Sequence, residues 1–178
     1  MSERGGIRLS STECFKGRIF TITADRVTLP NGREVTLEMV RHPGSVVLLP
    51  MQDDGRVVLI RQYRYSLDRW IWELPAGSLD EGEDPAAAAA RECEEEIGLV
   101  PERVDFAGAW YPTPGFCTEV MNYYRLSGLR ERRPGEPSAH QDEDEDIRVH
   151  VFTLDEARAM VRRGEIVDLR TAWGLTLV

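Results

Sequence analysis

The sequence predicts a mixed α/β (α+β) fold: a mixed β-sheet covered by helices, with an antiparallel β-segment at its N-terminal end. Three observations carry that expectation. Short apolar runs bounded by turn residues recur along the first half, as in SVVLLPM and RVVLIRQYR. One strongly marked helix, DPAAAAARECEEEIG, interrupts them. Strands and helices then follow without a regular βαβ alternation, which disfavours a doubly wound parallel sheet.

In chain order, β-rich segments from Phe15 to Arg41 flank LPNGRE, and Asn31-Gly32 is a hairpin turn signal. Residues 1–43 are accordingly expected as a separate β-hairpin segment, and residues 44–178 as the main domain. Ser45 to Met51 and Arg56 to Arg64 read as strands around the turn Asp53 to Gly55. Their continuous apolar character suits strands buried on both faces. Arg69 to Pro75 is a third strand, with Trp70 and Trp72 on one face and Ile71 on the other.

The helix that follows has Asp84 as cap, Pro85 at its first position and Gly98 at its left-handed stop. Ala86, Ala89, Ala90, Cys93 and Ile97 recur at helical spacing and predict its apolar stripe. RVDFAGAWY and EVMNYYRLSG read as strands separated by PTPGFCT. Arg130 to Asp146 is polar and reads as a long loop. IRVHVFTL is a strand, TLDEARAMVRRG a helix capped by Thr153 and stopped by Gly164, and DLRTAWGLTLV a last short helix.

Composition bounds the function. A length of 178 residues suits one domain, or one with a small appendage, and 42% apolar residues are too many for a disordered chain. No apolar run is long enough to span a bilayer. MSERGGIRLSS has no apolar core, so no signal peptide is expected. Three cysteines, Cys14, Cys93 and Cys117, are odd in number and form no CxxC, which favours a reducing cytoplasm over a disulfide framework. A net charge of −9 without a basic stripe argues against nucleic acid as a partner; RLSGLRERR, Arg125 to Arg133, reads as a solvated strand end.

The acidic run on the marked helix carries the chemistry. Like charges three or four residues apart cost up to about 0.5 kcal/mol per pair. Glu92, Glu95 and Glu96 nevertheless fall within about 100° of one another on one side of the helix. A solvated acidic face is the plain alternative; a bound cation is the chemical one. Hard divalent ions such as Mg²⁺ take carboxylate oxygens together with substrate phosphates. Glu83 precedes the helix as a further oxygen donor. Arg91 reads either as an i,i+4 partner of Glu95 or as a fork that orients Glu83 or another acid.

The spacing resembles a known signature. Gly77, Glu83, Arg91-Glu92-Cys93, Glu95-Glu96 and Gly98-Leu99 match the Nudix box, GX5EX7REUXEEXGU, at every fixed position, with Cys93 at an aliphatic place. The resemblance implies an α/β/α sandwich with a mixed sheet and Mg²⁺- or Mn²⁺-dependent hydrolysis of a nucleoside diphosphate linked to another group. Glu92 and Glu96 would be the main metal ligands, Glu95 a further ligand or a water contact, and Arg91 would orient the box glutamates.

Outside the box, LIRQYRY, WELPAGSLDEGE, YPTPGFCTEV and DEDEDIRVHV resemble bacterial ADP-ribose pyrophosphatases, with Pro114 fifteen residues after Leu99 as in that subfamily. That resemblance implies a metal contact from the Ala76 carbonyl, Glu143 as catalytic base and Glu145 as a further ligand or alternative base. It also implies a diphosphate contact from Arg64 and a place for Glu119 by the terminal ribose, with Gly115 of the same loop a substrate-binding candidate. Two to three ions per site and a homodimer exchanging its N-terminal β-segment are implied as well. Arg18 and Phe20 are candidate base contacts across such a dimer, with Arg41 and His42 nearby. Trp70, Trp72, Tyr111 and Phe116 are candidates for adenine stacking, each more often core. Other nucleoside diphosphate derivatives (GDP-mannose, NADH, FAD, an oxidised nucleotide) remain alternative substrates, and an ADP-ribose-sensing module without chemistry an alternative role. His42, His140 and His150 show no metal-ligand spacing.

Overall fold

A computed structural model describes residues 5–133 and 146–178. The chain divides into two units. The first holds the chain up to Gly44 together with Tyr111–Val120, and the second holds Ser45–Trp110 and Met121–Val178.

In the first unit, β1 (Ile7–Lys16), β2 (Thr21–Thr28) and β3 (Glu34–Arg41) form one antiparallel sheet in that order. The turn between β2 and β3 uses Gly32 at φ 82°, and the Asn31 side chain accepts the Arg33 N–H at 3.0 Å. That is the hairpin which Asn31-Gly32 announces. The sequence gives no sign of β1 over its full length, because all of its ten residues are exposed and no buried/exposed alternation marks them. Asp25 on β2 is buried; it accepts a hydrogen bond from the Ser11 hydroxyl at 2.6 Å and pairs with Arg41. The segment Tyr111–Val120 docks on the end of β3: Val40 N–H donates to the Phe116 carbonyl and Thr118 N–H to the Val40 carbonyl.

The second unit contains β4 (Ser45–Pro50), β5 (Val57–Arg64), β6 (Arg69–Glu73), β7 (Ala76–Ser78), α1 (Pro85–Ile97), β8 (Arg103–Trp110), β9 (Met121–Ser127), β10 (Ile147–Phe152), α2 (Leu154–Arg162) and α3 (Leu169–Gly174). β10, β5 and β6 make one antiparallel sheet. The other runs β7-β4-β9-β8 and is mixed, since β4 and β9 are parallel while its other pairs are antiparallel. Every residue of β4 is buried. Its side chains alternate between two cores, as a pleated strand requires. Val46 and Leu48 join Val58, Ile60, Ala88, Ala89 and Cys93 on the α1 side. Val47 and Leu49 join Leu59, Tyr123, Ala157, Met160 and Leu175 on the side of α2 and α3. Helix, sheet and helix are therefore layered as the expected sandwich, and burying each Val, Leu, Ile or Met side chain among these is worth about 1.5–3 kcal/mol.

Candidate active site

α1 begins and ends as its sequence dictates. The Asp84 carboxylate accepts the Ala87 N–H at 3.0 Å, Pro85 needs no N–H partner at the first position, and Gly98 closes the helix at φ 72°. The buried stripe departs from the sequence expectation within the alanine run, where Ala86 and Ala90 are only half-buried. Ala88 is buried where the spacing predicts Ala90, and with it the row Ala88, Glu92, Glu96 lies beside the row Ala89, Cys93, Ile97. Five consecutive alanines carry no period of their own, so packing on β4 decides which of them faces inward. The consequence is chemical: an inward row that starts apolar turns acidic after one helical turn. Glu92 and Glu96 are only 9% and 5% exposed.

Buried carboxylates demand partners, and two short stretches supply them. Arg91 spreads its guanidinium over three acids. Nε and Nη2 donate to the two oxygens of Glu83 at 2.9 and 3.1 Å, and Nη1 donates to Glu92 at 2.8 Å and to Glu95 at 2.6 Å. Both sequence readings of Arg91, the i,i+4 partner and the fork on Glu83, occur at once. Glu83 is brought within reach by a turn in which its own carboxylate accepts the Asp80 N–H, with Gly82 at φ 77°. These bonds, above all that to Glu83, raise the Arg91 guanidinium further above its ordinary value, and they hold the Glu83 carboxyl below its own.

The second stretch is β7. The Ala76 N–H donates to Glu96 at 3.1 Å, and a Cβ added at Gly77 would collide with the Glu92 carboxylate. Gly77 is thus required for close approach of the strand backbone to the acid row. Cys93, beneath that row, is fully buried, and burial pushes its thiol up to about 12.

One guanidinium facing three carboxylates, with a fourth acid one turn on, leaves the cluster strongly acidic. All its donors are oxygens, which suits a hard divalent cation. Among the described residues no group of three or more His, Cys, Asp or Glu side chains is arranged as a metal cage. The carboxylates are instead drawn toward Arg91 and the Ala76 N–H.

The remaining sequence candidates fall in several places. Arg64 closes β5 and donates through Nε to Glu73 at 2.9 Å. Arg18, Gly115 and Glu119 belong to the first unit. Glu143 and Glu145 lie outside the described residues, as do Asp142 and His140. Arg41 pairs with Asp25, and the His42 ring accepts the Gly44 N–H. Trp72 packs edge-on against Phe152 and His150 beside the core, while Arg148 lies over Trp70 at 4.4 Å. Tyr111 and Phe116 are exposed. Sequence reasoning missed Glu73, a buried acid held by two arginines. Its signal was one acid inside the apolar run WIWELP.

The NUDIX domain profile matches residues 40–169, and the profile described as the nucleoside diphosphate sugar hydrolase N-terminal domain matches residues 7–36. The chain belongs to the NUDIX family. Within the family it is similar to an ADP-ribose pyrophosphatase of Bacillus subtilis, 35% identical over 94% of this chain and 89% of the relative. A methanol dehydrogenase activator of Bacillus methanolicus is 37% identical over 92% of this chain and 86% of the relative. An ADP-ribose pyrophosphatase of Mycobacterium tuberculosis is 40% identical over 94% of this chain and 80% of its own length. Among solved structures, one titled as an ADP compounds hydrolase has the same fold, with a TM-score of 0.82 at 22% identity, over 99% of this chain and 94% of its own. The described part of this Nudix chain has no helix long and apolar enough to cross a membrane.

Proposed function

We propose that this protein hydrolyses the pyrophosphate of ADP-ribose to AMP and ribose 5-phosphate. The observation that carries the reading is the buried acid row Glu92 and Glu96, held beside the bare backbone of Gly77 and tied through Arg91 to Glu83 and Glu95. Relatives named ADP-ribose pyrophosphatase, similar over most of this chain, support the substrate.

Mg²⁺, or Mn²⁺ in its place, fits this oxygen-only, strongly acidic cluster, and we assign it two to three ions. Glu92, Glu95, Glu96, Glu145 and the Ala76 carbonyl would hold them. When bound, such ions neutralise phosphate charge and lower the pKa of water. The chain's own residues do the rest. Arg91 orients the acids, Arg64 contacts the diphosphate, and Glu143 accepts the proton of the attacking water. Glu119 lies by the terminal ribose, and Gly115 of the same loop contacts substrate. The N-terminal segment, residues 1–43, exchanges between two copies of the chain, bringing Arg18 to the adenosine; residues 44–178 form the hydrolase domain. Exposed Ile7, Leu9 and Phe15 on β1 support a covered face there. Free cysteines at 14, 93 and 117 support a cytoplasmic setting.

A second reading keeps the chemistry and changes the substrate to another nucleoside diphosphate derivative: GDP-mannose, NADH, FAD or an oxidised nucleotide. The name of the N-terminal profile, which covers nucleoside diphosphate sugars in general, favours it. A sensing module without chemistry is disfavoured, because Glu92, Glu95 and Glu96 all stand. The test is a panel of these compounds with and without Mg²⁺, products identified by mass. ADP-ribose should give the highest kcat/KM and yield AMP. Faster turnover of another compound selects the second reading, and binding without turnover selects the sensing module.

A further inference from the structure

A second charged cluster lies in the unit that carries α1. Glu73, the last residue of β6, is 1% exposed. Its two oxygens are divided between two arginines: Oε2 accepts from Arg64 Nε at 2.9 Å, and Oε1 accepts from Arg170 Nη2 at 2.7 Å. Arg170 is itself fixed. It lies on α3, its carbonyl accepts the Tyr123 hydroxyl at 3.2 Å, and its Nε donates to Asp168 at 3.3 Å.

Glu73 begins a segment that is pinned at each of four residues. Arg170 holds the Glu73 side chain, and the Thr171 hydroxyl oxygen accepts the Leu74 N–H at 2.7 Å. The Pro75 carbonyl accepts the Leu48 N–H at 2.8 Å, and the Ala76 N–H donates to Glu96 at 3.1 Å. One short stretch therefore runs from the arginine pair to the acid row of α1.

A buried ion pair is seldom explained by stability alone, since apolar residues of similar volume do as well or better. The way Arg64 is held suggests another use. Glu73 engages its Nε rather than its terminal nitrogens, and the side chain remains 34% exposed. A guanidinium gripped at Nε keeps its planar fork, and its rotamer freedom is already lost before a ligand arrives. We propose that Glu73 is a positioning residue for Arg64: it orients the guanidinium toward the diphosphate of bound substrate, with Arg170 holding the other carboxylate oxygen in place. This rests on the hydrolase reading above, in which Arg64 contacts the diphosphate.

The test is a double-mutant cycle on kcat/KM for ADP-ribose with saturating Mg²⁺. Arg64→Ala and Glu73→Gln should each lower kcat/KM by about tenfold or more, the scale of a charged hydrogen bond. In the Arg64→Ala background, Glu73→Gln should cost nothing further. Arg170→Gln should give a smaller loss that also vanishes without Arg64. If Glu73→Gln does not fold, Glu73→Asp, which keeps the charge and withdraws the carboxylate, carries the same cycle. Equal losses with and without Arg64 would show a merely structural role and overturn the proposal. Wild-type kcat/KM in Arg64→Ala would overturn it while leaving the hydrolase reading intact. No turnover by the wild-type protein would remove that reading and this one together.

Discussion

Gly77 has no room for a side chain, because a Cβ there would enter the Glu92 carboxylate. Gly77→Ala should therefore displace Glu92 or the strand, costing about 1–3 kcal/mol in stability and a large part of the turnover; thermal melts and steady-state rates read the two effects separately. Arg91 stabilises acids that would otherwise repel one another. Arg91→Ala should cost about 1–3 kcal/mol at neutral pH, the penalty of leaving buried charge uncompensated. The same contact sets an acid limit. The Glu83 carboxyl is held below its ordinary 4.5 mainly by its hydrogen bonds from Arg91. A depressed carboxylate contributes stability that is complete above its unfolded value and lost as pH falls through the folded one. Denaturation midpoints measured below pH 4.5 should thus fall less steeply with acid in Glu83→Gln than in the wild type. Cys93 has the opposite sign. Its thiol is raised from 9.0 to about 12, so its contribution is complete below pH 9.0 and lost as pH rises above that. Alkylation of the native protein at pH 8 should mark exposed Cys14 readily and reach buried Cys93 only on unfolding.

At the scale of the element, α1 was legible because its ends are written in residues with local physics: Asp84 caps it and Gly98 stops it. Asp84→Ala should cost about 1 kcal/mol, measured by chemical denaturation, with the rest of the fold unchanged. What the sequence could not reveal was settled by packing. Among Ala86 to Ala90 only the neighbouring strand selects Ala88 and Ala89 as the buried pair. β7 went unseen because Ala76-Gly77-Ser78 has little strand propensity; it exists through pairing with β4. Glu73 looked like one more acid, and only the meeting of β5, β6 and α3 gives it two arginines. The acid row itself was readable, since helical spacing alone places Glu92 and Glu96 one above the other.

At the largest scale, the layering of α1, the two sheets of the second unit and the pair α2–α3 follows from the fully buried β4, whose side chains alternate between two cores and which the apolar run Ser45 to Met51 foreshadowed. The N-terminal sheet was half legible: its turn spoke through Asn31-Gly32, while β1 exposes every residue and so lacked a pattern. Its apolar side chains Ile7, Leu9 and Phe15 call for a cover. Sedimentation should accordingly show a dimer, and Ile7→Asp with Phe15→Asp should shift it to monomer while α1 stays folded. The most direct measurement of the central claim compares Mg²⁺-dependent release of AMP from ADP-ribose by the wild type and by Glu96→Gln, each checked by circular dichroism. The expected result is turnover that EDTA abolishes, and a loss of about a hundredfold or more in a variant that remains folded. Full turnover by Glu96→Gln, or AMP release indifferent to EDTA, would contradict it.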